Sequence, residues 1–268
     1  MNRKDITSQS LSIWPVIPPK GEPKALTYDG DGNAWINIRA DRAGQVSLRV
    51  YEEEHPFKKG EDGIWHLKYP GKDGITYVQL LIDGTEVLTP YLPINYGYSR
   101  PYNCVMLEEE DAFYMLKDVL HGEVRREYYP SSVTGEWESC IVYTPPGYDE
   151  NPEKDYPVLY LQHGHGENET GWTTSGKVNF ILDNLIAEGK AVPFVVIMGN
   201  GMVQRCTEDG KRVVDHTLFP DLLIRDIIPW AEKHFRICRD KEHRAMAGLS
   251  MGSIHTAVTA FTHPEYFS

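Results

Sequence analysis

The sequence predicts an α/β domain built on a mostly parallel sheet, preceded by a small all-β module. Three observations carry this. Before about residue 105, short alternating runs are separated by Asp-Gly turns, with no helical period between them. From about residue 121, apolar strand-like runs alternate with segments of helical spacing. Near the end, Gly248-Leu249-Ser250-Met251-Gly252 lies between a run of small residues and a helix-like stretch.

In the first part, residues 34–39, 46–51, 64–69 and 76–82 read as strands, with turns at Asp29-Gly30-Asp31-Gly32, Asp62-Gly63 and Asp83-Gly84. Strands at this density predict an antiparallel β-sandwich over residues 1–105, followed by a linker over 106–120. In the α/β part, residues 121–268, the run 140–144 ends at Pro145-Pro146-Gly147. Residues 158–161 and 194–198 are continuously apolar, as strands covered on both faces are. A helix is predicted over 178–188, where Phe180, Ile181, Leu185 and Ile186 fall on one face and Gly189 supplies the stop. Leu222, Leu223, Ile227 and Trp230 mark a second helix over about 218–234. The strand 244–247 then leads into a last helix that Pro264 closes near Thr262.

Composition excludes some partners. With 27 Lys and Arg against 39 Asp and Glu, the net charge of −12 repels phosphate backbones and anionic lipid, so nucleic acid is not expected. No stretch approaches the roughly 18 apolar residues of a membrane span. Cys104, Cys140, Cys206 and Cys238 are widely spaced and form neither a C-x-x-C pair nor a zinc pattern, as in a cytoplasmic chain with reduced thiols. Residues 1–20 lack an apolar signal core, so the chain as written reads as cytoplasmic; a secreted chain relieved of its leader would read the same way. Association into a homo-oligomer stays open.

The Gly248-to-Gly252 stretch fits G-x-S-x-G, the nucleophile elbow. A nucleophilic serine needs a tight strand-to-helix turn, glycines that let strand and helix approach, and a helix N-terminus facing the developing negative charge. Ser250 is the expected nucleophile and the Met251 N–H one oxyanion donor. The other reading is an ordinary glycine-rich turn whose serine caps the helix. Gln162-His163-Gly164-His165-Gly166 follows the buried 158–161 strand, where a second oxyanion donor is expected from the N–H of His165 or Gly164. His163 and His165 with Glu167 could instead hold zinc, but a third strong ligand is not evident, and His163 reads as a packed residue fixing the loop. Asp29-Gly30-Asp31-Gly32-Asn33 opens like a calcium loop, yet Ala34 and Ala40 stand where that loop needs its glycine and bidentate glutamate. Asn168-Glu169-Thr170 is a glycosylation sequon, relevant only on export. The Tyr and Trp residues of the β-module suit a core or a sugar-stacking surface.

From about His121 the chain resembles the carbohydrate esterase family 1 and enterochelin-esterase-like branch of the α/β-hydrolases. The carrying residues are His121-Gly122-Glu123-Val124, 142–148, Leu161-Gln162-His163-Gly164 with Trp172, 181–186, Pro193 with Val195-Val196, and 247–253. The β-module is similar to the glycogen-binding or early-set immunoglobulin-like sandwiches that precede such esterases. The resemblance implies hydrolysis of feruloyl or acetyl esters on xylan through an acyl-enzyme on Ser250. It implies no cofactor and no metal, and an ester-substituted xylo-oligosaccharide or phenolic ester as substrate. A siderophore-ester hydrolase and a non-catalytic carbohydrate-binding or interaction protein are the alternatives.

One departure shapes the expectation. The triad of this fold runs serine, acid, histidine along the chain, and 18 residues follow Ser250. The acid and the histidine are therefore expected to be missing from these 268 residues, as is the C-terminal part of the hydrolase fold. His255 lies on the elbow's own helix, His263 lies near its far end, and Asp215 and His216 come before the serine; none is assigned to the triad. A fragment of a longer esterase, a site completed by a second chain, and a catalytically silent remnant each fit. The isolated chain is expected to be weak or inactive and to expose apolar faces.

Overall fold

The computed structural model describes residues 20–71, 74–107 and 112–268, and the chain divides into two units, Met1–Ala112 and Phe113–Ser268. The segment read for a leader lies, Lys20 apart, outside the described residues.

The first unit is all β. One sheet orders β1 (Leu26–Tyr28), β2 (Ala34–Arg39), β6 (Ile64–Lys68) and β5 (Lys58–Lys59) as β1-β2-β6-β5. The other runs β4 (Glu53–Pro56), β3 (Val46–Val50), β7 (Gly74–Ile82), β10 (Arg100–Leu107) and β9 (Ile94–Gly97), with β8 (Thr85–Val87) on β7. Every pairing is antiparallel. Ile36, Ile38 and Trp65 of the first sheet share one core with Val46, Leu48, Val78, Leu80 and Val105 of the second. This two-sheet arrangement is what period-two alternation requires when one face of each sheet is buried. Strand β10 reaches Leu107, two residues past the expected edge of the module. Its fully buried Asn103 holds the 89–93 segment, accepting from Thr89 N (2.8 Å) and donating to the Thr89 carbonyl (2.7 Å). The calcium-like turn is closed on itself. The Asp29 carboxylate accepts from the Trp35 indole N–H and from the backbone and side chain of Asn33, bonds that hold its pKa down at about 2.

The second unit is a mixed sheet in the order β11 (Glu123–Pro130), β12 (Trp137–Thr144), β14 (Val195–Gly199), β13 (Val158–Gln162), β17 (Arg244–Gly248). The pairs β13–β14 and β13–β17 are parallel, while β11–β12 and β12–β14 are antiparallel. The expectation of a mostly parallel sheet thus holds for only half of it. The 131–136 connection between β11 and β12 is too short for a crossover, so these strands must form a hairpin. A smaller hairpin, β15 (Gln204–Cys206) with β16 (Arg212–Val214), follows β14. Helices α1 (Gly171–Thr174) and α2 (Val178–Ala187) cross from β13 to β14, and α2 stops before Gly189, which sits at φ +68°. Helices α3 (Phe219–Leu222) and α4 (Ile228–His234) lead back to β17, joined by wider π-helical turns over Leu223–Ile227 just before Pro229, whose nitrogen has no hydrogen to give. Helix α5 (Met251–Thr262) follows β17.

Alternation along the central strands explains the two layers. Val195 and Ile197 face a core made with Phe219, Leu223, Ile227 and Ala231, whereas Val196 and Met198 face one made with Leu182. Helix α5 turns Met251, His255 and Thr259 inward and leaves Ile254, Val258 and Phe261 exposed. Of the expected linker, residues 108–111 lie outside the described set. Its far end is tethered within the second unit, where Asn184 Nδ2 donates to the carbonyls of Phe113 (2.8 Å) and Met115 (2.7 Å).

Buried carboxylates fasten this unit. Asp183 on α2 accepts from His121 Nδ1 (2.8 Å), Gly122 N (2.9 Å) and the Tyr143 hydroxyl (2.8 Å). Asp226 in the π turn accepts from the hydroxyls of Ser131 and Ser132, both at 2.7 Å. Burial alone would raise the Asp226 pKa, but these donors hold it below the usual carboxylate range. Asp183→Ala leaves the Gly122 amide and the Tyr143 hydroxyl without a buried acceptor. A loss of about 2–4 kcal/mol in urea unfolding is expected, and Asp183→Asn should lose less.

Candidate active site

The parallel pairing of β13 with β17, Gln162 opposite Gly248, places the two loops at their C-terminal ends side by side. Out of β17 the chain turns through Leu249 and Ser250 directly into α5. Ser250 adopts φ 52°, ψ −114°, a conformation that residues with a Cβ rarely hold. The flanking glycines make it feasible. A Cβ on Gly248 would come within 2.4 Å of the Gly252 backbone, and one on Gly252 within 2.6 Å of the Gln162 carbonyl oxygen. The turn is closed by Gly252 N to the Leu249 carbonyl (2.8 Å) and tied to the neighbouring strand by Leu249 N to the Gln162 carbonyl (3.1 Å). The same carbonyl accepts from the Trp172 indole N–H (2.9 Å), so Trp172 steadies the elbow through the backbone of β13.

Ser250 is exposed. Its side chain makes no capping bond to α5, unlike a serine serving as an ordinary helix cap. Met251 N–H, first in the helix, donates to no acceptor among the described residues. On the neighbouring loop, the two expected donors differ. The Gly164 amide is engaged by the Glu167 carboxylate (2.8 Å), while the His165 amide donates to no described acceptor. Of the expected donors, the Met251 and His165 amides are the ones left unengaged among the described residues, and Met251 stands at the positive end of α5. Sequence reasoning did not anticipate Glu167 in this part; a carboxylate three residues beyond a Gly-His-Gly turn is the signal for it.

His163 is buried and both of its ring nitrogens are used. Nδ1 donates to the Gly164 carbonyl (2.8 Å), and Nε2 accepts from Gly201 N (2.9 Å). It clamps the loop after β13 to the loop after β14. Burial keeps its pKa below the ordinary histidine value. With His163 committed to backbone and Glu167 to Gly164, a zinc set from His163, His165 and Glu167 would first have to break both tethers. A second buried imidazole, His255, points inward from α5. Its Nε2 donates to the His216 carbonyl (2.9 Å) and its ring stacks on Phe219 at a centroid distance of 4.9 Å. Burial lowers its pKa to about 4. His263 pairs with Glu265 (3.4 Å), and Asp215 accepts from Arg205 and Thr217 rather than orienting His216. No described imidazole or carboxylate hydrogen-bonds the Ser250 hydroxyl, so none of His163, His255, His263 and Asp215 stands as its proton acceptor.

Two outcomes follow. Gly252→Ala should lower stability by about 1–3 kcal/mol in thermal unfolding, because backbone rather than a flexible side chain must give way, and should abolish reaction of Ser250 with a fluorophosphonate. His255 resists protonation when folded but accepts a proton near its ordinary 6.5 when unfolded. Its contribution to stability is therefore complete above pH 6.5 and lost as pH falls from there to about 4. His255→Gln should flatten the stability–pH curve across that window.

A family model described as "Putative esterase" matches residues 131–268. The endo-1,4-beta-xylanase/feruloyl esterase of Xylanibacter ruminicola is 36% identical over 219 residues, covering 78% of this chain and 30% of that protein. The chain thus spans less than a third of that relative's length. Among solved structures, the CE1 ferulic acid esterase of Anaeromyces mucronatus in complex with ferulic acid is 25% identical, with a TM-score of 0.53 over 59% of this chain and 60% of that one. The enterobactin esterase of Shigella flexneri matches 92% of this chain and 72% of its own with a TM-score of 0.65 at 9% identity, a likeness of fold alone.

Proposed function

The chain belongs to the Esterase family, and from that premise we propose that it carries the nucleophile and oxyanion site of a serine hydrolase acting on phenolic esters of plant polysaccharide, feruloyl esters of xylan above all. The carrying observation is Ser250 held at φ 52° with no capping bond at the start of α5, on a turn packed against the His163 and Gly164 backbone. The feruloyl esterase activity named for the Xylanibacter relative, and the ferulic acid bound by the Anaeromyces enzyme, support the choice of acyl group.

In this reading Ser250 Oγ attacks the ester carbonyl carbon while its proton passes to a base. The carbonyl oxygen becomes an oxyanion held by the Met251 and His165 amides. Collapse expels the sugar alcohol, which takes the proton, and leaves an acyl-serine. Water then attacks the acyl carbon, releasing the carboxylic acid and restoring the hydroxyl. Among the described residues none is assigned as that base or as the acid that orients it.

Fluorophosphonate labelling and turnover of methyl ferulate test this. Labelling of the native chain with slow turnover, both abolished in Ser250→Ala, is expected. His165→Pro deletes one oxyanion amide and should reduce kcat by about 10²-fold with little change in KM. Labelling that survives Ser250→Ala would sink the reading. Xylo-oligosaccharide binding without any labelling would favour a non-catalytic carbohydrate-binding role. Preferential cleavage of a catecholate siderophore ester would move the substrate to that class.

A further inference from the structure

At the end of β17 remote from the elbow, three side chains of different ligand chemistry converge. Cys238 Sγ, a carboxylate oxygen of Asp240 and a ring nitrogen of His243 all lie within 4.8 Å of one another. We propose that Cys238, Asp240 and His243 form a binding site for a borderline divalent cation of the zinc class, with water in the remaining position.

The loop is held in shape from both ends. Ile237 bridges Tyr156 in a parallel β-bridge, and Cys238 N donates to the Tyr156 carbonyl (2.9 Å). At the other end, the buried Arg244 guanidinium donates to the Arg239 carbonyl (2.9 Å) and to Glu232 Oε1 (2.5 Å). Between these anchors, Asp240 caps the short 3₁₀ turn Lys241–His243 by accepting from His243 N (3.1 Å) and from His243 Nδ1 (2.6 Å). All three donors thus sit on one six-residue segment whose ends do not move freely.

Ligand chemistry selects the ion. A thiolate with an imidazole and a carboxylate suits Zn²⁺ or Co²⁺, whereas Mg²⁺ and Ca²⁺ take all-oxygen sites. Bonds of about 2.0–2.3 Å place tetrahedral ligand atoms roughly 3.3–3.7 Å apart, so seating an ion requires the Asp240–His243 pair to open from 2.6 Å by somewhat under an ångström. Binding breaks the Cys238 S–H bond and forms a metal–sulfur bond, the proton leaving to solvent. At His243 the hydrogen that Nδ1 donates to Asp240 is lost to solvent and Nε2 takes one up, leaving a lone pair on Nδ1 for the ion. Thiolate and carboxylate together neutralise the 2+ charge. Strand β17 separates this loop from Ser250 by about 15 Å of extended chain, so the site braces the fold and takes no part in ester cleavage.

Titration of the purified, metal-stripped protein with Co²⁺, followed by Zn²⁺, tests the proposal. A thiolate-to-cobalt charge-transfer band saturating at one equivalent and bleached by Zn²⁺ is expected. It should vanish in Cys238→Ser, persist in Cys206→Ser, and need at least tenfold more Co²⁺ in His243→Asn, a change at an exposed position that leaves folding intact. Zn²⁺ should raise the thermal midpoint of the native protein and not that of His243→Asn. Absence of the band at stoichiometric Co²⁺, its survival in Cys238→Ser, or an unchanged titration in His243→Asn would overturn the site.

Discussion

The closeness of two backbones governs the second unit. Strands β13 and β17 lie side by side, and Gly252 rests against the Gln162 carbonyl where no side chain fits. That contact lets the chain reverse from strand to helix within two residues, which forces Ser250 into its unusual conformation and lifts its hydroxyl into the open. It also sets the Met251 amide beside the loop after β13, since both loops spring from paired neighbours. Serine exposure and helix direction are thus consequences of a single steric fit rather than separate features.

Around that fit, buried polar groups act as tethers. His163 joins the loops after β13 and β14, Glu167 folds its loop back on Gly164, and Asp183 fastens the entry of β11 to α2. Glu169 does the same for the hairpin, accepting from Arg126 (2.5 Å) and the Ser139 hydroxyl (2.8 Å). His163, Asp183 and Glu169 are buried and each bonds a second element, which makes displacement of either element costly, whereas the half-buried Glu167 braces its own loop. Rigidity of this kind is what a preorganised oxyanion site requires, because donors that must move to meet charge lose much of their advantage.

Legibility in the sequence tracks how local the cause is. Strand β2, the 158–162 and 195–199 strands, α2 with its stop at Gly189, and the elbow are each specified by residues within a dozen positions, and all were readable. Strand β4 was not, because Glu53-Glu54-His55-Pro56 carries no apolar alternation and exists only by pairing with β3. Strand β10 hid behind Pro101 and Asn103, the latter a polar residue whose burial makes sense only once Thr89 is beside it. The same division runs through the site. The strand-turn-helix around Ser250 announces itself by motif, whereas the engagement of the Gly164 amide depends on where the Glu167 carboxylate lands. Cys238, Asp240 and His243 showed no recognised zinc spacing, since a loop bounded by a β-bridge and an arginine clamp, not a C-x-x-C repeat, brings them together.

Histidine usage separates positioning from proton transfer. An imidazole acting as general base needs one ring nitrogen free toward the hydroxyl and a pKa near the working pH. His163 has neither nitrogen free, and His255 has one nitrogen on a carbonyl and a pKa lowered to about 4. Protonating either would place a cation where burial opposes it, and at His163 would break the bond from Gly201. Both are therefore suited to staying neutral and holding loops. The machinery that presents the Ser250 hydroxyl and the machinery that would take its proton are physically distinct: the first is complete in backbone sterics and buried tethers, and it would hold its geometry whether or not a base stood beside it.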